Sequence, residues 1–429
     1  MGRYGERPLR RGDGGRPRDV SPTGRRRYAA AIALLFALLF SGGSSLAAEA
    51  APAVTTAPAP RGAAAITSAP VSIGCILPLT GRYAAYGAGA LDAILLAAGV
   101  FDAVQETPIR LLIEDSRSEP AAAAAAVGKL AAAGVTSILG PLGSQEALEA
   151  ATEAQRLKVP ILTLTQREGI TAIGDQVFRN FLTAAAQVRT VVHYAQAGIG
   201  LRRFAVLYPD DLYGQEMARL FREEVLSKGG ELKALRPYSP DQVDFGAEIR
   251  ALVGLPSAAA PPDPAMIFPP KPTPGFEALF IPDSAQRVAT IVPQLAYHDI
   301  TGIRLLGTSG WDSPELLTAA PELLQGAIFV NGFFPNSVRP EVNRFVESFY
   351  IAYGREPDTM EALVYDAARI AVRLAIAPGG SDRETFRQRL LWVDRYQGVT
   401  GKTSFPASRD AEKELFILTV RDGQIIQVK

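Results

Sequence analysis

The strongest constraint on this chain is a regular alternation of short apolar runs and helix-forming stretches that begins near residue 70. VSIGCILPL reads as a buried strand, and GALDAILLAAGVF carries apolar residues at helical spacing. IRLLIED, VTSILGP and VPILTLT continue the strands, with EPAAAAAAVGKLAAAG and SQEALEAATEAQRLK as the helices between them. Strands that alternate with helices through short turns lie parallel, because each return to the sheet needs a crossover that covers one of its faces. An open parallel sheet with helices on both faces is therefore expected.

The pattern then restarts. TAAAQVRTVVHYAQAGIG, GQEMARLFREEVLSKGG, FGAEIRALVGL and SAQRVATIVPQLAYHD read as helices, and RRFAVLYP, ELKALRPYS, FEALFIPD and IRLLGTS as strands. Two similar α/β units result, roughly 70–184 and 185–330. Eight prolines in residues 256–275 exclude regular structure and predict a stiff surface insertion in the second unit. Past residue 330 no third unit starts. PEVNRFVESFYIAYG and EALVYDAARIAVRLAIA are amphipathic helices able to cover a sheet already made, and ELFILTVRDGQIIQVK is a hairpin turning at Asp422-Gly423. The tail returning to both units gives an N-terminal lobe of 70–184 plus 335–398 and a C-terminal lobe of 185–334 plus 399–429.

Residues 1–50 join a basic leader to twelve apolar residues, Ala29 to Phe40, with small residues around Ala47 and Ala50. The apolar stretch is too short to span a bilayer and fits a cleaved secretory signal peptide. Residues 51–69, rich in Ala, Pro and Thr, read as a flexible tether. The mature chain is then exported to the periplasm and does not span a membrane. Beyond residue 50 there are 35 basic and 40 acidic residues, a balance that argues against nucleic-acid binding. The single cysteine, Cys75, cannot form an internal disulfide and reads as a buried thiol. Two histidines on unrelated segments and a single cysteine form no zinc-ligand cluster, and Gly87-x-Gly89 lacks the later acid of a dinucleotide fingerprint, so no metal or cofactor is expected.

ILPLTGRYAAYG after the first strand, ILGPLGSQEA after the third, VPILTLT, LYPDDLYGQEM, FYIAYGREPDTMEALVYDAARIAV and YQGVTGKTSF carry a resemblance through their order and spacing. Over about residues 71–429 the chain resembles the type I periplasmic binding protein family, especially its branched-chain amino acid and amide receptors. The resemblance implies an α/β fold of two doubly wound parallel-sheet lobes joined by three crossings, here near 179–186, 329–336 and 396–406. A ligand would sit at the carboxyl ends of the strands and close the lobes about a hinge.

Ser144 before QEALEA has the chemistry of a helix N-cap, and the start of that helix also offers unpaired N–H groups to a carboxylate. The resemblance makes Leu142, Gly143 and Ser144 the carboxylate grip. It also makes Thr163 (carbonyl) and Thr165 (hydroxyl and amide) ligand contacts, although buried threonines often bond their own backbone. Tyr83, with Tyr86 nearby, offers an apolar wall with a polar tip after the first strand. Tyr213 matches the family's cleft tyrosine in the second lobe. Where branched-chain receptors carry a glutamate for the ligand's ammonium, this chain has GTSGWDSPE. Asp312 could supply that charge with Trp311 as a stacking face, and Asp283 is a second candidate; either acid could equally cap the helix that follows.

Two functions fit these features. One is a solute receptor of an ABC importer that binds an amino acid or amide and presents its closed form to a membrane permease. The other is a partner-binding module similar to penicillin-binding protein activators, carried by FEALFIPDSAQRVATIVPQLAYHDITGIRLLGTSGW, which regulates a cell-wall synthase by contact. Ser144 has no triad context, so an enzyme is not expected.

Overall fold

The computed structural model describes residues 70–101, 109–255, 273–318 and 320–428. The leader, the tether and the 256–272 part of the proline-rich insertion lie outside the described residues. Strands β1 (Val71–Leu77), β2 (Ile109–Asp115), β3 (Ser137–Leu139), β4 (Ile161–Thr163) and β5 (Val177–Arg179) form a sheet in the order β2-β1-β3-β4-β5. All its pairings are parallel. Helices α1 (Ala84–Ala97), α2 (Pro120–Ala132) and α3 (Ser144–Arg156) make the crossovers.

Around β1, β3, β4 and β5 both faces of this sheet are buried, as their apolar residues require, whereas the edge strand β2 is partly open. Ile73, Cys75 and Leu77 pack with Ala90, Ala93 and Ile94 of α1, whereas Ile76, Ile138 and Ile161 pack with Val127 of α2 and Ala147 of α3. The alanine-rich helices suit this role because small side chains let helix and sheet approach closely. Cys75 is fully buried and unpaired, and burial pushes its thiol up to about 12. β5 lies in GDQVFRNF, which has no extended apolar run, and pairs with β4 through Ile161–Val177 and Thr163–Arg179.

From β5 the chain passes at residues 180–183 into α4 (Ala184–His193), capped by the Thr183 hydroxyl. It then builds β6 (Arg203–Pro209), α5 (Leu212–Ser227), β7 (Glu231–Tyr238), α6 (Gly246–Leu252), β8 (Ala278–Phe280), α7 (Ala285–Tyr297), β9 (Arg304–Leu306) and β10 (Ile328–Asn331). These strands are parallel in the order β7-β6-β8-β9-β10. Phe221 of α5 stacks on Phe280 of β8 with ring centroids 4.3 Å apart, fixing helix to sheet.

After β10 the chain returns to the first sheet. α8 (Pro340–Tyr353) and α9 (Thr359–Ile376) pack against α1, and the Tyr353 hydroxyl donates to the Asp92 carbonyl at 2.7 Å. Asp358 and Glu361 form a reciprocal capping box at the start of α9. Following α10 (Arg383–Leu391), the segment YQGVTGKTSF is not a plain crossover. It folds into β11 (Tyr396–Gly398) and β12 (Gly401–Ser404), which pair antiparallel and join β13 (Glu412–Lys413) in a small third sheet. The expected hairpin then appears as β14 (Phe416–Arg421) and β15 (Gln424–Gln427), with Asp422 and Gly423 both at positive φ in the turn. β14 pairs antiparallel with β10 and so extends the second sheet to seven strands. A parallel sheet and a mixed sheet with a five-stranded parallel core, linked by three passages of the chain, are thus the observed architecture.

The third sheet is held from within. Asp366 of α9 accepts the Val399 and Thr400 backbone N–H groups at 2.9 and 2.8 Å, and the Thr400 hydroxyl. Lys413 donates to the hydroxyls of Thr400 and Thr403, both at 2.9 Å. Burial raises the Asp366 pKa and lowers that of Lys413 to about 8, each opposed by the other's charge. Nearby, the guanidinium of Arg179, at the end of β5, is clamped by Asp410 and donates to the Gln166 carbonyl. No helix among the described residues is long and apolar enough to cross a membrane.

Candidate functional site

Every sequence-selected residue lies at the carboxyl end of a strand. Tyr83 follows β1, Leu142 to Ser144 follow β3, and Thr163 and Thr165 end β4. In the second sheet Tyr213 follows β6, Asp283 follows β8, and Trp311 and Asp312 follow β9. Parallel topology causes this, since all strands of a sheet end on one side and the loops there converge.

In the first group, Asp115 at the end of β2 anchors the loop before α1, accepting the Leu79 N–H at 2.9 Å and the Thr80 hydroxyl at 2.7 Å. The Tyr83 N–H donates to Ser118 at 3.1 Å, and the Arg82 guanidinium covers the Tyr83 ring at 4.5 Å. Tyr86, on α1, is exposed.

Ser144 is not the cap that its sequence context suggests. Gly143 occupies the cap position with extended backbone, and Ser144 is the first residue of α3. Its hydroxyl makes no hydrogen bond to the described residues, so it and the first-turn amides are available to a ligand. Glu146, two residues on, is buried and receives the Ser116 hydroxyl, and burial raises its pKa. Its carboxylate rests against Gly143, where an added Cβ would lie 1.9 Å from Oε2. Gly143→Ala is therefore expected to displace that carboxylate from Ser116 and to cost about 1–2 kcal/mol in urea unfolding. An unchanged midpoint and slope would show that Glu146 repacks freely.

The threonines are fully buried. Thr163 donates its hydroxyl to the Phe178 carbonyl at 2.9 Å, and its own carbonyl accepts the Asn180 N–H at 2.9 Å. The Thr165 hydroxyl accepts the Arg167 N–H at 3.3 Å. Both hydroxyls serve the local backbone here.

In the second group the expected roles divide. Trp311 is fully buried, packs beside Phe329 and donates its indole N–H to the Ile281 carbonyl at 3.0 Å. It is a core residue with no face open to a ligand, which corrects its reading as a stacking surface. The two acids have partners on their own sheet. Asp283 accepts the Tyr238 hydroxyl and the Ser284 N–H. Neither does Asp283 cap α7, because the Ser284 hydroxyl takes that position. Asp312 accepts the Asn331 amide at 2.7 Å, and burial raises its pKa, which weakens it as a counter-charge.

Tyr213 remains. Its ring is half exposed, its hydroxyl donates to Thr308 at 3.3 Å, and burial around that hydroxyl raises its pKa. It lines a cavity of about 610 Å³ whose walls come from both sheets. Gln166 and Glu168 follow β4, Phe181 to Ala184 belong to the first passage, and Leu212, Tyr213 and Met217 open α5. Ser309 follows β9, and Met360 and Leu363 project from α9. The other candidates do not line this cavity. A larger one, about 730 Å³, opens around Arg203 and Arg304, at the amino ends of β6 and β9, away from the converging loops. Strand polarity favours the smaller cavity as the ligand site.

Sequence reading missed Thr308, Gln187 and the methionines. Thr308 stands directly after the β9 run and could have been found by that position. The side-chain amide oxygen of Gln187 accepts the Ser309 N–H at 2.9 Å across 122 positions, a link only folding creates.

Known proteins fit this geometry. Residues 70–424, well over half of the chain, match the family model described as periplasmic binding protein. None of the curated proteins matches the sequence. Among solved structures, a Rhodospirillum rubrum protein provisionally assigned to a branched-chain amino acid ABC transporter is 25% identical with a TM-score of 0.75, covering 83% of this chain and 99% of that one. A leucine-binding protein from Thermotoga maritima is 24% identical with a TM-score of 0.58, over 84% of this chain and 98% of its own. A branched-chain amino acid substrate-binding protein from Streptococcus pneumoniae, in complex with isoleucine, is 23% identical with a TM-score of 0.57, over 83% and 99%. The last two support the fold alone.

Proposed function

Because this chain belongs to the periplasmic binding protein family, whose members bind substrates rather than transform them, we propose that it is the solute receptor of an ABC importer. Exported to the periplasm, it takes an amino acid or amide-like small molecule between an N-terminal lobe of 70–184 plus 335–398 and a C-terminal lobe of 185–334 plus 399–429. The observation that carries this reading is the 610 Å³ cavity at the carboxyl strand ends, lined from both sheets and by the first passage between them. A ligand touching both sides favours the closed arrangement by its differential affinity, and the closed form is what a permease would recognise. Tyr213 closes over the guest from the second sheet, and Ser144 with the α3 amides, at the carboxyl end of β3 and outside the lining of the cavity, takes the ligand's carboxylate as the lobes close.

Thermal melting with a panel of amino acids and amides tests this. A ligand at 100 times its dissociation constant should stabilise the protein by about 2.7 kcal/mol. Ser144→Ala and Tyr213→Ala should shrink that shift without lowering the ligand-free melting temperature. A panel with no shift, together with capture of a cell-wall synthase, would replace the receptor by a regulator of peptidoglycan synthesis.

A further inference from the structure

The receptor reading leaves an ammonium group without a partner, since Asp283 and Asp312 are engaged on their own sheet. We propose that Glu168, on the loop after β4, is the counter-charge for a primary ammonium on the ligand, whose apolar body packs against Met217, Met360 and Leu363. This rests on the cavity being the solute site.

Three observations converge on Glu168. It lines the cavity, it is exposed, and it makes no hydrogen bond or ion pair with any described residue. The cavity's other acid, Glu216, is clamped by Arg219 at 2.6 Å. Among the described residues, no Lys, Arg or His lines the cavity, so no internal cation neutralises Glu168 and no cation there invites a carboxylate. Glu168 also borders a second cavity lined by Arg179, Arg189, Arg395, Lys402 and Lys413. The first two pair with Asp410 and Glu412, Lys402 pairs with Glu414, Lys413 is opposed by Asp366, and none of the five makes an ion pair with Glu168. The walls set the rest of the ligand. Leu182, Met217, Met360 and Leu363 give an apolar surface, and two methionines, one on α5 and one on α9, adapt to side chains of differing shape. An ammonium entering such surroundings needs a charged acceptor, and a ligand without one leaves Glu168 in water at no loss.

Binding calorimetry on the full chain, with L-leucine and its des-amino analogue 4-methylpentanoate, tests the proposal. The parent should prefer leucine. Glu168→Gln should weaken leucine roughly 10–100-fold, the range of a charge-assisted hydrogen bond, while changing 4-methylpentanoate by less than about twofold. Glu168→Asp should recover part of the loss, and Ser144→Ala should weaken both ligands alike. Leucine binding by Glu168→Gln at the parent's affinity overturns the proposal. A parent that prefers 4-methylpentanoate also overturns it but leaves the solute-receptor reading standing. A parent that binds neither of these, nor any amino acid or amide, overturns both.

Discussion

Replacing Asp366 by alanine should lower the unfolding free energy by about 3–5 kcal/mol, the usual loss when a buried charge is left without the opposite charge that shares its network, here Lys413 through the Thr400 hydroxyl. Asp366 is 1% exposed and is the acceptor for Val399 N–H, Thr400 N–H and the Thr400 hydroxyl. Its loss strands those donors and leaves the Lys413 ammonium buried without an opposing charge. pH gives a second readout. Lys413 titrates at about 8 in the folded protein because of burial, against about 10.4 in an unfolded chain. Between those values the folded state holds fewer protons than the unfolded one, so stability rises with pH across that window as the cost of burying the charged lysine is relieved, and that cost is full below it. Without Asp366 the lysine falls further and the window extends to lower pH. Chemical unfolding of parent and Asp366→Ala at intervals from pH 7 to 10 checks both statements. A variant within 1 kcal/mol of the parent at pH 7 would show that this network does not hold the third sheet.

Ser144→Asp is expected to separate binding from folding. A carboxylate at the first position of α3 suits the helix dipole, which offsets repulsion from the Glu146 carboxylate beside Gly143, so stability should stay within about 1 kcal/mol of the parent. The same charge occupies the place proposed for the ligand's carboxylate, and juxtaposed like charges cost several kcal/mol. Affinity for an anionic or zwitterionic solute should therefore fall on the order of 100-fold or more. Calorimetry beside a urea melt reads both quantities. Parent-like affinity in the variant would remove α3 from the site.

The ease of reading this chain followed the physics of each feature. β1, β3 and β4 were visible because strands buried on both faces must be apolar, and β2, at the sheet edge, because its run IRLLI is still mostly apolar. β5 was not, because three residues, Val177 to Arg179, leave no pattern and are placed by pairing with β4. YQGVTGKTSF looked like a simple passage, and its hairpin exists because Asp366 collects the backbone of its turn from 33 and 34 positions away. Trp311 stood beside a candidate acid in a short polar stretch, yet the ring turned inward beneath Ile281. Ser144 had cap chemistry, but the backbone of Gly143 reached the cap geometry one residue earlier.

By itself, the sequence determined the parallel strands of two sheets, their crossover helices, the closing hairpin and the strand ends where the loops converge. Hydrophobic periodicity and turn chemistry are local, and they leave few ways to bury such strands. Only the tertiary structure decided which polar groups at those ends are spent and which are free. Asp312 is taken by Asn331, Asp283 by Tyr238 across 45 positions, and Glu168 by none of the described residues. A carboxylate's partner comes from the neighbouring strand or helix, and that neighbour is fixed by packing rather than by the residues beside it in the chain.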